Sequence, residues 1–324
     1  MSRTIALIDY HFLTEERISH IRKVAEEGGY EIRYFENNKA CRGQLSDFEI
    51  LFGSVSHHNI REAVSAKWVC AGRVGVETIC DPALYAQPDC ILTNAPGVYA
   101  VSIAEHLIMT CLMLLRKQYI YAEPMKKGEW GPEPRSIRSL KGSQITVLGA
   151  GAIGTAFAVR AKAFEPACII GVKRNTAKAD SIFDRVVAID ELESILPDTD
   201  ILVLCLPGTP DTKQILSAER IAMLPTTAFV LNIGRGVCVD QEALTAALQE
   251  GRLAGAGLDV MTPEPLPADD PLRKLENVIL TPHIAGIPNL DYSVDLIVDG
   301  FCEDLKRYIR GEALKNVIDI RRGY

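Results

Sequence analysis

The segment Gln144-Ile-Thr-Val-Leu-Gly149-Ala-Gly151-Ala-Ile-Gly154 is the most informative part of this 324-residue sequence. Residues 145–148 are typical of a buried strand, three spaced glycines follow, and residues 155–164 continue in a helical pattern. Gly149 permits a tight turn, Gly151 lets the backbone approach a pyrophosphate, and Gly154 lets the helix pack close to the strand. The segment therefore predicts a dinucleotide-binding turn in a parallel α/β sheet.

The backbone amides at the start of the predicted helix are the groups that would bind the pyrophosphate. We expect this of Ala152 and Ile153, because a helix N-terminus offers unpaired amides and the positive end of the helix dipole. Two other interpretations stay open: a glycine-rich turn without a ligand, and a turn that binds another nucleotide-like cofactor such as S-adenosylmethionine. The strand before the turn and the helix after it favour a dinucleotide.

The residues that follow the next predicted strand bear on the choice of dinucleotide. In an NAD site an acidic side chain stands there and binds the ribose hydroxyls. This chain has Lys173 and Arg174 instead, and cations attract the 2′-phosphate of NADP, Arg through its planar fork of donors. NADP(H) is therefore favoured. NAD(H) stays open, because both cations are also compatible with a solvated loop.

Strand and helix patterns alternate on both sides of the glycine turn and predict two domains, although the length also allows one larger barrel-like domain. In the first hundred residues a helix over residues 15–27 accompanies five strands. These strands are expected near residues 4–8, 30–35, 49–52, 68–74 and 90–93. A long helix is then expected over residues 100–125, followed by a Gly- and Pro-rich interruption over residues 127–134.

A second series of strands follows the interruption and forms a complete doubly wound sheet by itself. Its strands are expected at residues 144–148, 167–172, 201–206, 228–233, 254–258 and 278–280. A final helix is expected over residues 291–309 and should return to the first domain.

Composition limits the class of protein further. Apolar residues make up 48% and charged residues 24% of the chain, as in ordinary globular proteins. The net charge of -7 argues against a nucleic-acid partner. The nine cysteines are scattered singly and suit reduced thiols. With no signal-type segment at the N-terminus and no apolar run long enough to span a bilayer, we expect a cytoplasmic protein without a membrane partner.

The histidines outside the later motifs are not expected to hold a metal. His57, His58 and His106 have no carboxylate or Cys partner at a ligand spacing in the sequence. We therefore expect no metal site.

Four ionisable residues follow successive strands of the second series. Arg235, Asp259, Glu264 and His283 should meet at one sheet edge, because the carboxyl ends of parallel strands lie together and ligands bind there. An Arg, an Asp, a Glu and a His that reach this edge in order form a credible ligand-binding site. Taken singly, Arg235 could cap a strand, Glu264 could be a surface acid and His283 could be structural, but their shared edge favours the chemical role.

These blocks resemble the D-isomer-specific 2-hydroxyacid dehydrogenases, a family that includes glyoxylate and hydroxypyruvate reductases and phosphoglycerate dehydrogenase. The resemblance covers nearly all of the chain. It is carried by the glycine turn, Leu206-Pro207-Gly-Thr-Pro-Asp-Thr212, Asn232-Ile233-Gly234-Arg235-Gly236, Gly257-Leu-Asp259-Val260, Glu264-Pro-Leu-Pro267 and Thr281-Pro-His283-Ile-Ala-Gly286.

The resemblance implies a role for each residue of this edge. Arg235 would bind the carboxylate and carbonyl of the substrate, His283 would be the acid/base, and Glu264 would pair with His283. Asp259 would contact the nicotinamide carboxamide. Further cofactor contacts are implied at Leu206, Pro207, Thr212, Ile233, Gly234, Arg235, His283 and Gly286.

The resemblance also implies substrate contacts in the first domain. The backbone amides of Val74 and Gly75 would hold the substrate carboxylate, although an ordinary turn also explains that glycine, and Ser54 is a weaker candidate. A homodimer through residues 100–125 is implied as well. Trp130 lies in a segment that crosses the dimer interface in some family members, and filling a local apolar gap is the other explanation.

Together the patterns and the resemblance predict two doubly wound parallel-sheet domains, a Rossmann dinucleotide-binding domain inserted into a flavodoxin-like substrate domain. Residues 1–98 and 289–324 would form the substrate (catalytic) domain and residues 99–288 the NAD(P)-binding domain. The implied activity is reduction of a small 2-keto acid to a D-2-hydroxy acid, with glyoxylate or hydroxypyruvate as the first candidates. The alternatives are a dinucleotide-sensing binding protein, as in corepressors of this fold, and a methyltransferase.

Overall fold

The computed structural model describes residues 3–8, 13–131, 136–178, 180–287 and 290–321. Two compact units make up the chain, one formed by Met1–Val98 with Ile287–Tyr324 and the other by Tyr99–Gly286. The second unit is thus an insertion in the chain of the first. Residues 132–134 of the predicted Gly- and Pro-rich interruption lie outside the described residues.

Strands and helices alternate along both units. The strands are β1 (Thr4–Ile8), β2 (Glu31–Phe35), β3 (Ile50–Gly53), β4 (Trp68–Ala71), β5 (Ile91–Thr93), β6 (Gln144–Leu148), β7 (Cys168–Val172), β8 (Arg185–Val187), β9 (Ile201–Leu204), β10 (Phe229–Asn232), β11 (Gly255–Leu258) and β12 (Val278–Leu280). The α-helices are α1 (Glu15–Glu27), α2 (His57–Glu62), α3 (Ala100–Arg116), α4 (Gln118–Lys126), α5 (Ala152–Lys162), α6 (Leu192–Ile195), α7 (Ala218–Met223), α8 (Gln241–Gln249) and α9 (Asp291–Ile309). No helix in the described ranges combines the length and apolar character that a membrane crossing needs.

The first unit contains a five-stranded parallel sheet in the order β2-β1-β3-β4-β5, which is the flavodoxin-like order. Helix α9 belongs to this unit. Its Phe301 stacks on Phe52 and Trp68, with ring centroids 4.0 and 5.2 Å apart. Arg17 of α1 pairs with Asp295 of α9 at 2.8 Å. The end of the chain therefore completes the core that its first hundred residues begin.

The second unit contains a seven-stranded parallel sheet in the order β12-β11-β10-β9-β6-β7-β8. Reading outward from β6, this is the Rossmann order extended by one strand. The strand order reverses between β6 and β9, and the crevice at such a point, outside the carboxyl ends of the strands, is where open α/β sheets bind ligands. The predicted fold class is confirmed.

Two local predictions are wrong, and one strand was not predicted. The helix expected over residues 100–125 is two helices, because Lys117 adopts left-handed backbone (φ 54°) between α3 and α4, and one such residue ends a helix without disturbing its apolar pattern. The short strand β8 was not predicted, since only one of its three residues is buried. Strand β4 ends at Ala71, so Arg73 and Val74 belong to the following loop.

Candidate active site

The three glycines of the turn after β6 have different surroundings. Gly149 has left-handed backbone (φ 99°), and a Cβ atom there would lie 2.7 Å from the carbonyl oxygen of Cys205. A Cβ at Gly154 would overlap the carbonyl of Gly149. A Cβ at Gly151 would meet no atom of the described residues within 4 Å. Gly149 and Gly154 are therefore required by the fold, whereas Gly151 leaves room beside the helix for a ligand.

The N-terminus of α5 opens into this room. Gly151 is the N-cap of the helix and has no side chain with which to cap it. The amides of Gly149 and Ala150 donate to the carbonyl of Val172 at 2.9 and 3.2 Å, so the amides of Ala152 and Ile153 are the ones that begin the helix. Uncapped amides at a helix N-terminus beside open space fit a pyrophosphate.

Cationic side chains follow β7, where an NAD site would have an acid. The Lys173 amide donates to the Val187 carbonyl on β8 at 3.1 Å, which fixes the backbone at this point. The Arg174 side chain is 70% exposed, and its Nη1 lies 3.9 Å from Oδ2 of Asp211. Arg174 therefore reaches the loop after β9, the second loop for which cofactor contacts are predicted.

Two neighbouring loops at the carboxyl edge of this sheet pack on each other. In the loop after β9, the hydroxyl of Thr212 donates to the Pro207 carbonyl at 2.5 Å and accepts from the Thr209 amide at 2.9 Å. In the loop after β10, a Cβ at Gly234 would lie 2.5 Å from the carbonyl oxygen of Leu206. The Thr212 hydroxyl thus closes its own loop, and Gly234 lets the next loop approach it.

Arg235 lies on a turn that is stabilised by the side-chain amide of a buried asparagine. Asn232, at the end of β10, is 1% exposed. Its Nδ2 donates to the Arg235 carbonyl and its Oδ1 accepts from the Gly234 amide, both at 3.1 Å. The Arg235 guanidinium donates to the Gly234 carbonyl at 2.8 Å. Asn232 is a site residue that the predictions omitted, although a polar residue ending a buried strand was a visible signal.

His283 and Glu264 lie within hydrogen-bond distance of each other, and the resemblance implied such a pairing. Nδ1 of His283 lies 2.8 Å from Oε2 of Glu264, and Oε1 of Glu264 accepts from the Met261 amide at 3.0 Å. The imidazole is half-exposed. Because Nδ1 faces the carboxylate, Nε2 is the ring nitrogen that remains for a contact with another group.

Asp259 anchors the loop that carries His283. Its side chain is buried; Oδ1 accepts from the Ile284 amide at 2.9 Å and Oδ2 from the Ala285 amide at 3.0 Å. The Asp259 carbonyl also accepts from the His283 amide at 2.9 Å. His283 itself has φ 56°, a left-handed conformation that costs a non-glycine residue on the order of 1 kcal/mol. The implied contact of Asp259 with the nicotinamide stays a prediction.

Two of the three histidines that were not expected to hold a metal have a carboxylate nearby in the structure. His58 lies 3.1 Å from Glu62, one helical turn later. His106 lies 4.0 Å from Asp259, a pairing between residues far apart in sequence. Within the described ranges, no group of three or more His, Cys, Asp and Glu side chains could hold a metal ion.

The residues predicted to contact substrate in the first unit follow neighbouring strands. Ser54 comes after β3, and Val74 and Gly75 come after β4. Asn94, after β5, donates to the Val74 carbonyl at 2.8 Å, and Arg73 donates to the Gly75 carbonyl at 3.0 Å. These side chains hold the 73–75 loop at the carboxyl edge of its sheet.

Comparisons with known proteins agree with this geometry. Residues 108–285 match the family model described as D-isomer specific 2-hydroxyacid dehydrogenase, NAD binding domain. The chain is 31% identical over 305 residues to the D-3-phosphoglycerate dehydrogenase of Methanocaldococcus jannaschii, an alignment that covers 93% of this chain and 57% of that protein. It is 34% identical over 238 residues to the glyoxylate/hydroxypyruvate reductase B of Pectobacterium carotovorum subsp. carotovorum, covering 72% and 73% of the two chains.

A solved structure extends the similarity to the whole chain. It is a D-isomer specific 2-hydroxyacid dehydrogenase from Xanthobacter autotrophicus Py2 in complex with NADPH and MES. Its TM-score is 0.81 at 26% identity, with 100% of both chains covered. The chain belongs to the D-isomer specific 2-hydroxyacid dehydrogenase family. The resemblance stated from the sequence is confirmed, and the corepressor alternative gains no support.

Proposed function

We propose that this protein reduces a small 2-keto acid to a D-2-hydroxy acid with a nicotinamide dinucleotide as hydride donor. The observation that carries the proposal is the pairing of His283 with Glu264 at the sheet edge where the Arg235 turn and the glycine turn also lie. Proton donor, carboxylate-binding cation and dinucleotide turn are the three parts that such a reduction needs.

Each residue has a separate task in the proposed reaction. When bound, the cofactor supplies the hydride to the carbonyl carbon. Arg235 binds the substrate carboxylate and orients the carbonyl, and the backbone amides of Val74 and Gly75 are proposed as further carboxylate contacts. His283 donates a proton from Nε2 to the carbonyl oxygen as charge develops there, and Glu264 stabilises the imidazolium before the transfer.

NADP(H) is the proposed cofactor, with NAD(H) as the second candidate. The support comes from Lys173 and Arg174 after β7 and from the exposed guanidinium of Arg174, which can bind a 2′-phosphate. The similar Xanthobacter structure contains NADPH. The glycine turn with its uncapped helix N-terminus fits the pyrophosphate of either dinucleotide.

Glyoxylate and hydroxypyruvate are the proposed substrates. The support is the similarity to a glyoxylate/hydroxypyruvate reductase over 72% of this chain. Phosphohydroxypyruvate is the second candidate, because the chain is also similar to a phosphoglycerate dehydrogenase. That protein is longer, and this chain aligns with 57% of it.

The test is a panel of 2-keto acids with NADPH and with NADH, followed by the loss of reduced-cofactor absorbance. The proposal expects turnover of at least one small 2-keto acid, faster with NADPH, and a D-2-hydroxy acid as product on a chiral column. An L-product would contradict the stereochemistry, and no turnover of any keto acid with either cofactor would contradict the proposed activity.

We further propose that the protein is a cytoplasmic homodimer that pairs through α3, α4 and the segment after them. The support is the set of exposed apolar side chains there, Met109, Met125 and Ile137, with Trp130 93% exposed. Trp130 therefore fills no apolar gap among the described residues and is free to anchor a partner. Light scattering should report a dimer for the wild type and a larger monomer fraction for Trp130→Ser.

All nine cysteines are thiols, which suits a reducing compartment such as the cytoplasm.

A further inference from the structure

Helix α3 packs closely on β11 and on the loop after β12, at one glycine in each. A Cβ at Gly257 would overlap the methyl of Thr110, and a Cβ at Gly286 would lie 2.9 Å from Cδ1 of Ile103. Residues 103, 106 and 110 share one helix face, because side chains three and four apart lie in line. His106 is therefore held between these two close contacts, at the sheet edge that carries the proposed active site.

The hydrogen bonds of Thr281 determine which ring atom of His106 carries a proton. A hydroxyl has a single hydrogen, and Thr281 uses it toward Oδ1 of Asp259 at 2.6 Å. Nε2 of His106 lies 3.2 Å from the same hydroxyl oxygen. Since that oxygen has no second hydrogen to offer, the Nε2 hydrogen of His106 is donated to it. The result is a chain of hydrogen bonds from His106 through Thr281 to Asp259.

This series of hydrogen bonds ends on the loop that carries His283. The Asp259 carboxylate accepts from Ile284 and Ala285, the two residues that follow His283. His106 and Asp259 have side chains 13% and 2% exposed. In such a dry environment a hydrogen bond is strengthened and a lost partner is poorly replaced by water.

We propose that His106 is a positioning residue for the acid/base histidine. By donating to Thr281 it fixes the hydroxyl that orients the Asp259 carboxylate, and this carboxylate holds the left-handed His283 loop in place. The proposal rests on the proposed function, in which His283 donates the proton. It assigns a task to a histidine that lies outside the sequence blocks on which the resemblance was based.

The test compares four variants on the keto acid that the wild type reduces fastest. His106→Ala and Thr281→Val each remove one partner, whereas His106→Gln and Thr281→Ser each keep a donor or a hydroxyl at the same place. Loss of the hydrogen bond between His106 and Thr281 should lower kcat by about 10- to 100-fold, because small displacements of a catalytic group have effects of this size. The keto-acid KM should stay unchanged, since substrate contacts are intact. The conservative variants should recover most of the lost kcat.

A second measurement needs neither substrate nor cofactor. Hydrogen exchange of residues 281–287 reports on the amides that donate to Asp259, because an amide exchanges when its hydrogen bond opens. Exchange should be faster in His106→Ala and Thr281→Val and like wild type in His106→Gln. Thr245→Val is the matched control, because the Thr245 hydroxyl donates within α8, to the Gln241 carbonyl at 2.7 Å.

The outcomes separate this proposal from the proposed function. If the wild type reduces keto acids and His106→Ala matches it in kcat and in exchange, the positioning role is overturned and the proposed function stands. If the wild type reduces none, the proposed function fails and the exchange rates decide the positioning role. If His106→Ala does not fold, the Thr281→Val and Thr281→Ser pair decides, and equal kcat and exchange in that pair would overturn the proposal.

Discussion

Both carboxylate oxygens of Glu264 make a contact, one with the ring of His283 and one with a nearby backbone amide. Oε2 lies 2.8 Å from Nδ1 of His283, and Oε1 accepts from the Met261 amide at 3.0 Å. The backbone contact fixes the carboxylate, and the carboxylate in turn fixes the imidazole ring. Glu264 therefore fixes the orientation of His283 and leaves Nε2 as the ring nitrogen that does not face the carboxylate.

The first prediction separates the charge of Glu264 from its geometry. Glu264→Gln keeps a side chain of the same shape but loses the negative charge that stabilises an imidazolium. We expect kcat for keto-acid reduction to fall roughly 10- to 100-fold, part of what a general acid contributes, with NADPH affinity unchanged. Steady-state kinetics and fluorescence titration measure the two quantities. A glutamine variant with wild-type kcat would show that the charge is dispensable.

The second prediction concerns cofactor choice. Arg174→Ala should weaken NADPH binding by about tenfold, since one charge-assisted hydrogen bond is worth about 1.5 kcal/mol or more, while NADH binding stays the same. Arg185→Ala is the control, because Arg185 is another exposed arginine of this unit and pairs with Glu191 at 2.9 Å. Equal losses of NADPH and NADH affinity in Arg174→Ala would argue against a 2′-phosphate contact.

The third prediction follows from the different surroundings of two glycines. Gly151→Ala places a methyl group in open space at an ordinary φ of -98°, so stability should change by less than about 1 kcal/mol while dinucleotide binding is lost. Gly149→Ala, at φ 99° and against the Cys205 carbonyl, should destabilise the fold by roughly 1–3 kcal/mol. Urea unfolding and cofactor titration of both variants test this. Retained NADPH affinity in Gly151→Ala would place the pyrophosphate elsewhere.

The fourth prediction concerns alkaline pH. Burial raises the pKa of the Cys111 thiol on α3 from 9.0 to about 12. Between these values the unfolded chain releases the proton and the folded chain keeps it, so the free energy of unfolding falls as pH rises above 9. One such thiol contributes a slope of at most about 1.4 kcal/mol per pH unit. Urea unfolding from pH 8 to 10 should show a shallower decline in Cys111→Ala, and parallel pH curves would contradict the buried, protonated thiol.

The sequence was sufficient for the parts of this site that short patterns define. Gly149, Gly151 and Gly154 stand between a buried strand and a helix, and the alternation of strand and helix patterns around them predicted a parallel sheet. Glu264 and His283 end up paired because both follow neighbouring strands of one sheet.

Other features depend on contacts that no short pattern contains. His106 and Thr281 are 175 residues apart, and their hydrogen bond depends on how closely α3 packs against the sheet. The break at Lys117 is a change of one backbone angle, which leaves the spacing of apolar residues intact. Asn232 was quoted within a motif, but its role in building the Arg235 turn follows only from its two hydrogen bonds.

The most direct test of the central claim is turnover by His283→Ala measured beside NADPH binding by the same variant. The matched control is His20→Ala, because His20 is also half-exposed and lies 3.6 Å from the acidic Asp299, in the first unit. The account predicts wild-type NADPH affinity in both variants, full keto-acid reduction in His20→Ala, and a loss of about 100-fold or more in kcat in His283→Ala. A His283→Ala enzyme that binds NADPH and reduces the keto acid at the wild-type rate would contradict the assignment of His283 as the proton donor.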